Sequence, residues 1–157
     1  MELPQNLTQN GFTLADVEKT DFGVYFAIKR ECYEKYVDEY FGRWVDDVAV
    51  EKNTDAFSRE LEQSEFKKIF LHGELVGFFS YDERDGEIGG VTIQMLEKAR
   101  GKGVGSFCMK HITEIADSKN VPIFLKVFKS NPAKNLYERF GFKVYDESEA
   151  HYQMRYN

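Results

Sequence analysis

The most constraining feature of the sequence is the run EIGGVTIQMLEKARGKGVGSFCMKHITEIA, residues 87–116. Residues 87–95 read as a strand, and the Gly89-Gly90 pair within it predicts a bulge or a close backbone approach. From Val104 the apolar positions Phe107, Cys108, Ile112, Ile115 and Ala116 follow the helical period. Between strand and helix lie Gly101, Gly103 and Gly105, alternating with Lys102 and Val104 and preceded by Arg100. Glycines remove side chains, so several backbone N–H groups can converge on one ligand. The first turn of the helix adds unpaired N–H groups and a partial positive charge. Strand, glycine loop and helix in that order form a site for a phosphate or pyrophosphate.

The rest of the chain supplies the frame. Residues 12–17 (FTLADV) read as a strand, and Asp21 is placed to cap a helix over residues 22–40 that Gly42 ends. Residues 45–63 read as a second helix anchored by Val48, Phe57 and Leu61. FKKIFL, a His72-Gly73 turn and ELVGFFSY read as two strands, and Asp85-Gly86 turns into the strand at Glu87. After the loop helix comes VPIFLKVF, residues 121–128, an apolar strand expected to be buried on both faces. Asn131 and Pro132 open a short helix that reaches Phe140 and stops at Gly141. FKVYDE and HYQMRY close the chain as strands. The passage from Glu87 to Phe128 implies a parallel crossover, whereas the hairpins imply antiparallel neighbours. The expected fold class is therefore α/β (α+β): a mixed, mostly antiparallel sheet of six to seven strands, flanked on both faces by about four helices. No repeat, low-complexity tract or linker divides residues 1–157, which read as a single domain.

Composition narrows the partners. The formal net charge is −6, which argues against a nucleic-acid partner. The N-terminal residues lack a basic segment followed by an apolar one, and no apolar run reaches the ~18 residues of a membrane span. The sequence thus reads as a cytoplasmic protein without a membrane partner. Cys32 and Cys108 match no metal or redox spacing and read as small buried apolar residues. His72, His111 and His151 form no pair with metal-ligand spacing, so no metal is expected.

Three phosphate-binding patterns compete for the glycine loop. A P-loop requires Gly-Lys followed by Ser or Thr, but Lys102 is followed by Gly103. The dinucleotide pattern Gly-x-Gly-x-x-Gly needs one residue more than separates Gly103 from Gly105. The third, Arg/Gln-x-x-Gly-x-Gly/Ala, is met by Arg100, Gly103 and Gly105. On these residues the chain resembles the GCN5-related N-acetyltransferase (GNAT) superfamily. ARGKGVGSFCMKHI resembles its acetyl-CoA motif, and NPAKNLYERFGFKVY resembles its C-terminal Leu-Tyr-Glu-x-x-Gly-Phe motif. The two stand at the family's usual separation, HGELVGFFSY is similar to the strand pair that precedes the first, and the likeness extends over residues 12–156. ESEAHYQMRY and YVDEYFG further resemble a subgroup of small bacterial members.

The resemblance implies an acyl-CoA N-acyltransferase-like fold and acetyl transfer from acetyl-CoA, as co-substrate, to a small-molecule or peptide amine by direct attack in a ternary complex. A non-catalytic acetyl-CoA-binding domain of the same fold is the alternative. Backbone groups of Ile93 and Met95 would pair with the pantetheine arm, and Arg100, Gly101, Lys102, Gly103, Val104, Gly105 and Ser106 would hold the pyrophosphate. Many members carry Asn seven residues before the motif tyrosine; Ser130 stands there and Asn131 follows, so Asn131 reads both as a cofactor contact and as a helix cap. Tyr137 is the candidate general acid towards the leaving thiolate, beside a packing role. Glu87 is the candidate base, or merely flanks the Asp85-Gly86 turn. His151 is a further residue that could approach the acceptor. Tyr33, Tyr36, Tyr40 and Trp44 either wall the acceptor pocket or pack the core. Asp38, Glu39, Asp46 and Asp47 either attract a cationic amine or form a solvated acidic face. A C-terminal strand with an exposed edge leaves a homodimer open.

Overall fold

The computed structural model describes residues 1–63 and 65–157. In chain order it contains helix α1 (Gln5–Gln9), strand β1 (Phe12–Asp16), helices α2 (Phe22–Phe41) and α3 (Asp46–Glu60), and strands β2 (Glu65–Leu71), β3 (Glu74–Arg84) and β4 (Glu87–Met95). Helix α4 (Val104–Lys119), strand β5 (Ile123–Phe128), helix α5 (Ala133–Arg139) and strands β6 (Lys143–Glu147) and β7 (His151–Tyr156) follow. Among the described residues the seven strands make one sheet in the order β1-β2-β3-β4-β5-β7-β6. Every pairing is antiparallel except β4 with β5. The mixed sheet and its helices agree with the expected class; α1 was invisible because five residues, QNLTQ, carry a single buried apolar side chain, Leu7.

Helices cover both faces. On one, α4 sends Val104, Cys108, Met109, Ile112 and Ala116 onto the sheet together with Leu7 and Tyr137. On the other, Tyr25, Ile28 and Cys32 of α2 and Phe57 of α3 meet Phe66 and Phe78 of the sheet. Each fully buried Ile, Leu or Phe of this kind contributes about 1.5–3 kcal/mol relative to exposure. Alternation along the strands is broken twice. At Val76 one extra residue opposes β2 (Ile69 pairs with Gly77, Phe70 with Leu75), so Val76 and Phe79 face the α4 side although their parity differs. A second shift lies between Ser80, opposite Thr92, and Asp82, opposite Gly89.

Two local expectations are corrected. The Asp21 side chain does not cap α2; it accepts from the Glu18 N–H at 2.7 Å and pairs with Lys68 at 2.9 Å, closing the turn before the helix. Strand β5 is not buried on both faces: Ile123, Leu125 and Val127 are buried, but Lys126 between them is exposed. The opposite face of β5 fronts an open cavity, and that difference belongs to the site.

Candidate active site

The site begins where the sheet parts. Strands β4 and β5 share one register pair, Ile88 with Ile123, reinforced by the Ile88 N–H donating to the Pro122 carbonyl at 2.9 Å. Beyond it β4 carries the bulge at Gly90 and Val91, with Gly90 at φ +57°. A Cβ at Gly90 would stand 3.0 Å from the Gln63 amide, so glycine allows both the backbone angle and the approach. From there β4 leans away from β5, and two cavities lie along its end, one between residues 91–94 and 126–128 and the other between residues 93–95, the glycine loop and α5.

The first cavity has a volume of about 310 Å³ and lies between the end of β4, the glycine loop and α5. Gly101 (φ +70°) and Gly103 (φ +98°) take left-handed backbone angles, and Gly103 caps α4 without any side-chain hydrogen bond to its first turn. The N–H groups of Val104, Gly105 and Ser106 therefore form the unpaired positive end of a helix of 16 residues. Gly105 brings α4 against α5, since a Cβ there would lie 3.1 Å from the Leu136 methyl. Arg100 turns back over the strand end: its Nε donates to the Met95 carbonyl at 2.7 Å, and the same carbonyl is 3.5 Å from the Cys32 thiol.

The second cavity, about 610 Å³, opens on the α2–α3 side and reaches Trp44, Lys126, Phe128 and His151. Tyr33, Ile93, Gln94, Asn131 and Tyr137 line both cavities and mark where they meet. Tyr137 is 8 % exposed, and its hydroxyl has no hydrogen-bond partner among the described residues. Burial, with a smaller contribution from Cys108, pushes its pKa up to about 12. Gln94 is 1 % exposed, and neither amide atom has a partner. Burial also raises the Tyr33 phenol, and burial followed by Lys126 lowers the His151 imidazole. Beneath the cavity the buried Tyr25 hydroxyl donates to Glu60 at 3.0 Å and accepts from Lys29 at 3.2 Å.

Comparison with known families matches residues 29–142 to the acetyltransferase (GNAT) family. The chain belongs to that family. As a GNAT protein it is an N-acetyltransferase. No curated protein matches the sequence. Among solved structures it is similar to the PaiA N-acetyltransferase of Thermoplasma acidophilum in complex with coenzyme A (17% identity, 92% of this chain, 97% of that one, TM-score 0.69). It is also similar to the ribosomal-protein-S18-alanine N-acetyltransferase of Escherichia coli (18% identity, 92% of each chain, TM-score 0.64). A third is Naa50 of Arabidopsis thaliana in complex with the bisubstrate analogue CoA-Ac-MVNAL (19% identity, 94% of this chain, 99% of that one, TM-score 0.65). These likenesses show the GNAT fold.

Within this GNAT fold the sequence-identified residues distribute unevenly. Ile93, Met95, Arg100, Gly101, Gly103, Gly105, Ser106, Asn131 and Tyr137 converge on the first cavity. Lys102 is exposed on the loop beside it, and the Val104 side chain is buried in the core, so only its N–H faces the loop. Asn131 does serve the helix start, its Oδ1 accepting from the Ala133 N–H at 2.9 Å, while also lining both cavities. Glu87 is exposed at the first position of β4, opposite Arg84, and lines neither cavity. Six residues of strand separate it from Ile93, roughly 20 Å. Of the aromatics, Tyr33 and Trp44 line the second cavity, Tyr36 the first, and Tyr40 stacks on Phe128 at 5.8 Å. Three of the four acidic residues nearby have structural partners: Asp38 accepts from the Trp44 N–H, Asp46 holds Arg30 and the Trp44 indole, and Glu39 holds Ser130, while Asp47 is exposed in the first turn of α3. His72 is a turn residue at φ +50°, and His111 packs on Tyr81. Sequence reading missed Gln94, Lys29, Lys52 and Lys126; a polar Gln94 in an apolar strand was the one available signal.

Proposed function

We propose that this protein binds acetyl-CoA in the first cavity and passes its acetyl group to a primary amine held in the second, by direct attack within a ternary complex. One observation carries the reading: a cavity bounded by the glycine loop and the start of α4 shares Tyr137 in its lining with a second cavity beside it. In this scheme the parted edge of β4 offers Ile93 and Met95 backbone groups to the pantetheine arm, as a neighbouring strand would. Gly101, Lys102, Gly103, Val104, Gly105 and Ser106 receive the pyrophosphate on backbone N–H groups at the helix start. Arg100 adds charge once it leaves the Met95 carbonyl, and Asn131 stands at the junction.

Attack requires a neutral amine, a stabilised oxyanion and a proton for the departing sulfur. Tyr137 is the hydroxyl at the junction, with its hydrogen uncommitted to any partner among the described residues, and we assign it the donor role towards sulfur. Neither cavity has an Asp or Glu among its described lining residues. Glu87 therefore has no place in the scheme, and His151, kept neutral by burial and Lys126, is the base we assign. The positive surroundings of Lys29 and Lys126 help in the same sense, because neighbouring cations disfavour the ammonium form.

The test is a thermal-shift comparison of acetyl-CoA, CoA, ATP and NAD, followed by thiol release with an amine panel. A ligand at a hundred times its Kd stabilises the fold by about 2.7 kcal/mol. Acetyl-CoA and CoA are expected to shift the transition and ATP and NAD not to. Gly103→Asp should abolish the shift while the circular-dichroism spectrum stays folded; an unchanged affinity in that variant refutes the cofactor site.

A further inference from the structure

The acceptor cavity has a charge opposite to that of the chain. The protein has 27 acidic against 21 basic residues. Yet the cavity is lined by Lys29 from α2, Arg43 from the α2–α3 connection, Lys52 from α3 and Lys126 from β5, with no Asp or Glu among its described lining residues. None of these four cations forms an ion pair among the described residues. Among the described residues Lys29 has the Tyr25 hydroxyl as its one hydrogen-bond acceptor. Burial first and Lys126 after it disfavour positive charge on both Lys29 and His151, while the Glu60 carboxylate beyond the Tyr25 hydroxyl favours it on Lys29. Four separate elements thus bring cations to one hollow, Lys29 with Glu60 behind the Tyr25 hydroxyl and the other three without an ion pair among the described residues, and low-dielectric walls strengthen their field. The carboxylates at the α2–α3 corner, Asp38 and Asp46, are held by Trp44 and Arg30 and face other partners.

The rest of the lining defines the other end of a ligand. Val37, Val45 and Val48 offer apolar surface beside Phe128, whose ring is stacked among Tyr36, Tyr40 and His151. At the inner end stands Gln94, whose buried amide oxygen and nitrogen are both unpartnered among the described residues. A buried amide left without partners costs free energy, so it favours a ligand that supplies a donor and an acceptor there.

We infer that the acceptor is an anionic amphipathic amine: its amino group lies at Gln94 and Tyr137, an apolar body lies along the valines, and a carboxylate or phosphate lies among Lys29, Arg43, Lys52 and Lys126. This rests on the acetyl-transfer reading above and narrows it to a substrate class. It excludes polyamines, whose second ammonium would enter the same positive field.

The probes are four amines with one six-carbon chain: 6-aminohexanoate, 6-aminohexyl phosphate, hexylamine and 1,6-diaminohexane. Their reacting amines are alike, so only the distal group differs. Binding is measured by calorimetry on the protein saturated with CoA, alongside the binding of acetyl-CoA itself. The anionic probes are expected to bind at least about tenfold more tightly than hexylamine and more tightly still than the diamine, with a preference that shrinks as salt rises. The ratio of carboxylate to phosphate affinity identifies which anion the cations fit. Lys52→Glu with Lys126→Glu should reverse the ranking in favour of the diamine while acetyl-CoA binding is retained. Equal binding of all four probes, including none, or tighter binding of the diamine to the unaltered protein overturns the inference. Either result leaves the acetyl-transfer reading standing as long as acetyl-CoA binds; failure of acetyl-CoA to bind overturns both.

Discussion

Tyr137→Phe removes a single oxygen and tests how the junction works. The hydroxyl has no partner among the described residues, so its loss strands no polar group among them, and stability should change by less than roughly 1 kcal/mol. The catalytic effect follows from acidity. Burial pushes this phenol up to about 12, whereas an ordinary thiol ionises near 8.5, so full transfer of the proton to a thiolate is uphill by roughly 5 kcal/mol. A phenol so much weaker as an acid than the leaving thiol acts by donating a hydrogen bond to the sulfur as charge develops. A hydrogen bond to a charged group contributes about 1.5–3 kcal/mol. Tenfold in rate corresponds to about 1.36 kcal/mol, so kcat should fall on the order of 10- to 150-fold. The assay is thiol release under saturating acetyl-CoA, with KM for acetyl-CoA expected to stay within about twofold because the interaction strengthens only in the transition state. Unchanged kcat would remove Tyr137 from the chemistry. A loss of ten-thousandfold or more in a folded variant would show that the proton is fully transferred and that the reasoning from acidity is wrong.

Three further outcomes follow from particular contacts. Gly77 on β3 faces the strand that carries the site: a Cβ there would stand 2.3 Å from the Gln94 carbonyl, so Gly77→Ala should cost about 3 kcal/mol in denaturant unfolding and weaken acetyl-CoA binding, and a neutral result would refute the close approach. His151 is depressed below its ordinary 6.5 and accepts a proton only when neutral, so kcat/KM should fall as pH drops through that lowered pKa; His151→Gln should remove this limb, and an unaltered profile would exclude it as the base. Glu87→Gln, at the far end of β4, should leave kcat within about twofold, because a base must lie within hydrogen-bond reach of its proton or one water away; a hundredfold loss would contradict its placement outside the cavities.

The sequence by itself determined the order of elements, the glycine loop at the start of α4 and the position of Tyr137 on a short helix. Those features depend on short-range effects: period-2 and period-3.6 patterning, the backbone angles open to glycine at Gly101 and Gly103, and the end of the last helix at Gly141. Even the bulge near Gly90 was legible, because paired glycines inside a strand have a local cause. The parting of β4 from β5 was decided only by tertiary structure. Alternation tells which residues share a face, not where two strands stop pairing, so VPIFLKVF read as a fully buried strand although Lys126 and Phe128 front a cavity. The same limit left Glu87 open in the sequence, as a candidate base or as a flank of the Asp85-Gly86 turn, and the structure places it opposite Arg84 at that hairpin, since distance along a strand becomes visible only once its neighbours are known. The charge of the acceptor cavity lay deepest of all. The acidic run near the end of α2 read either as bait for a cationic amine or as a solvated acidic face, and folding gives Asp38 and Asp46 to Trp44 and Arg30. It also gathers Lys29, Arg43, Lys52 and Lys126, spread over a hundred positions of chain, around one hollow. Long-range convergence of this kind leaves no local pattern in a sequence, because the field in a cavity depends on which side chains meet there rather than on which are adjacent in the chain.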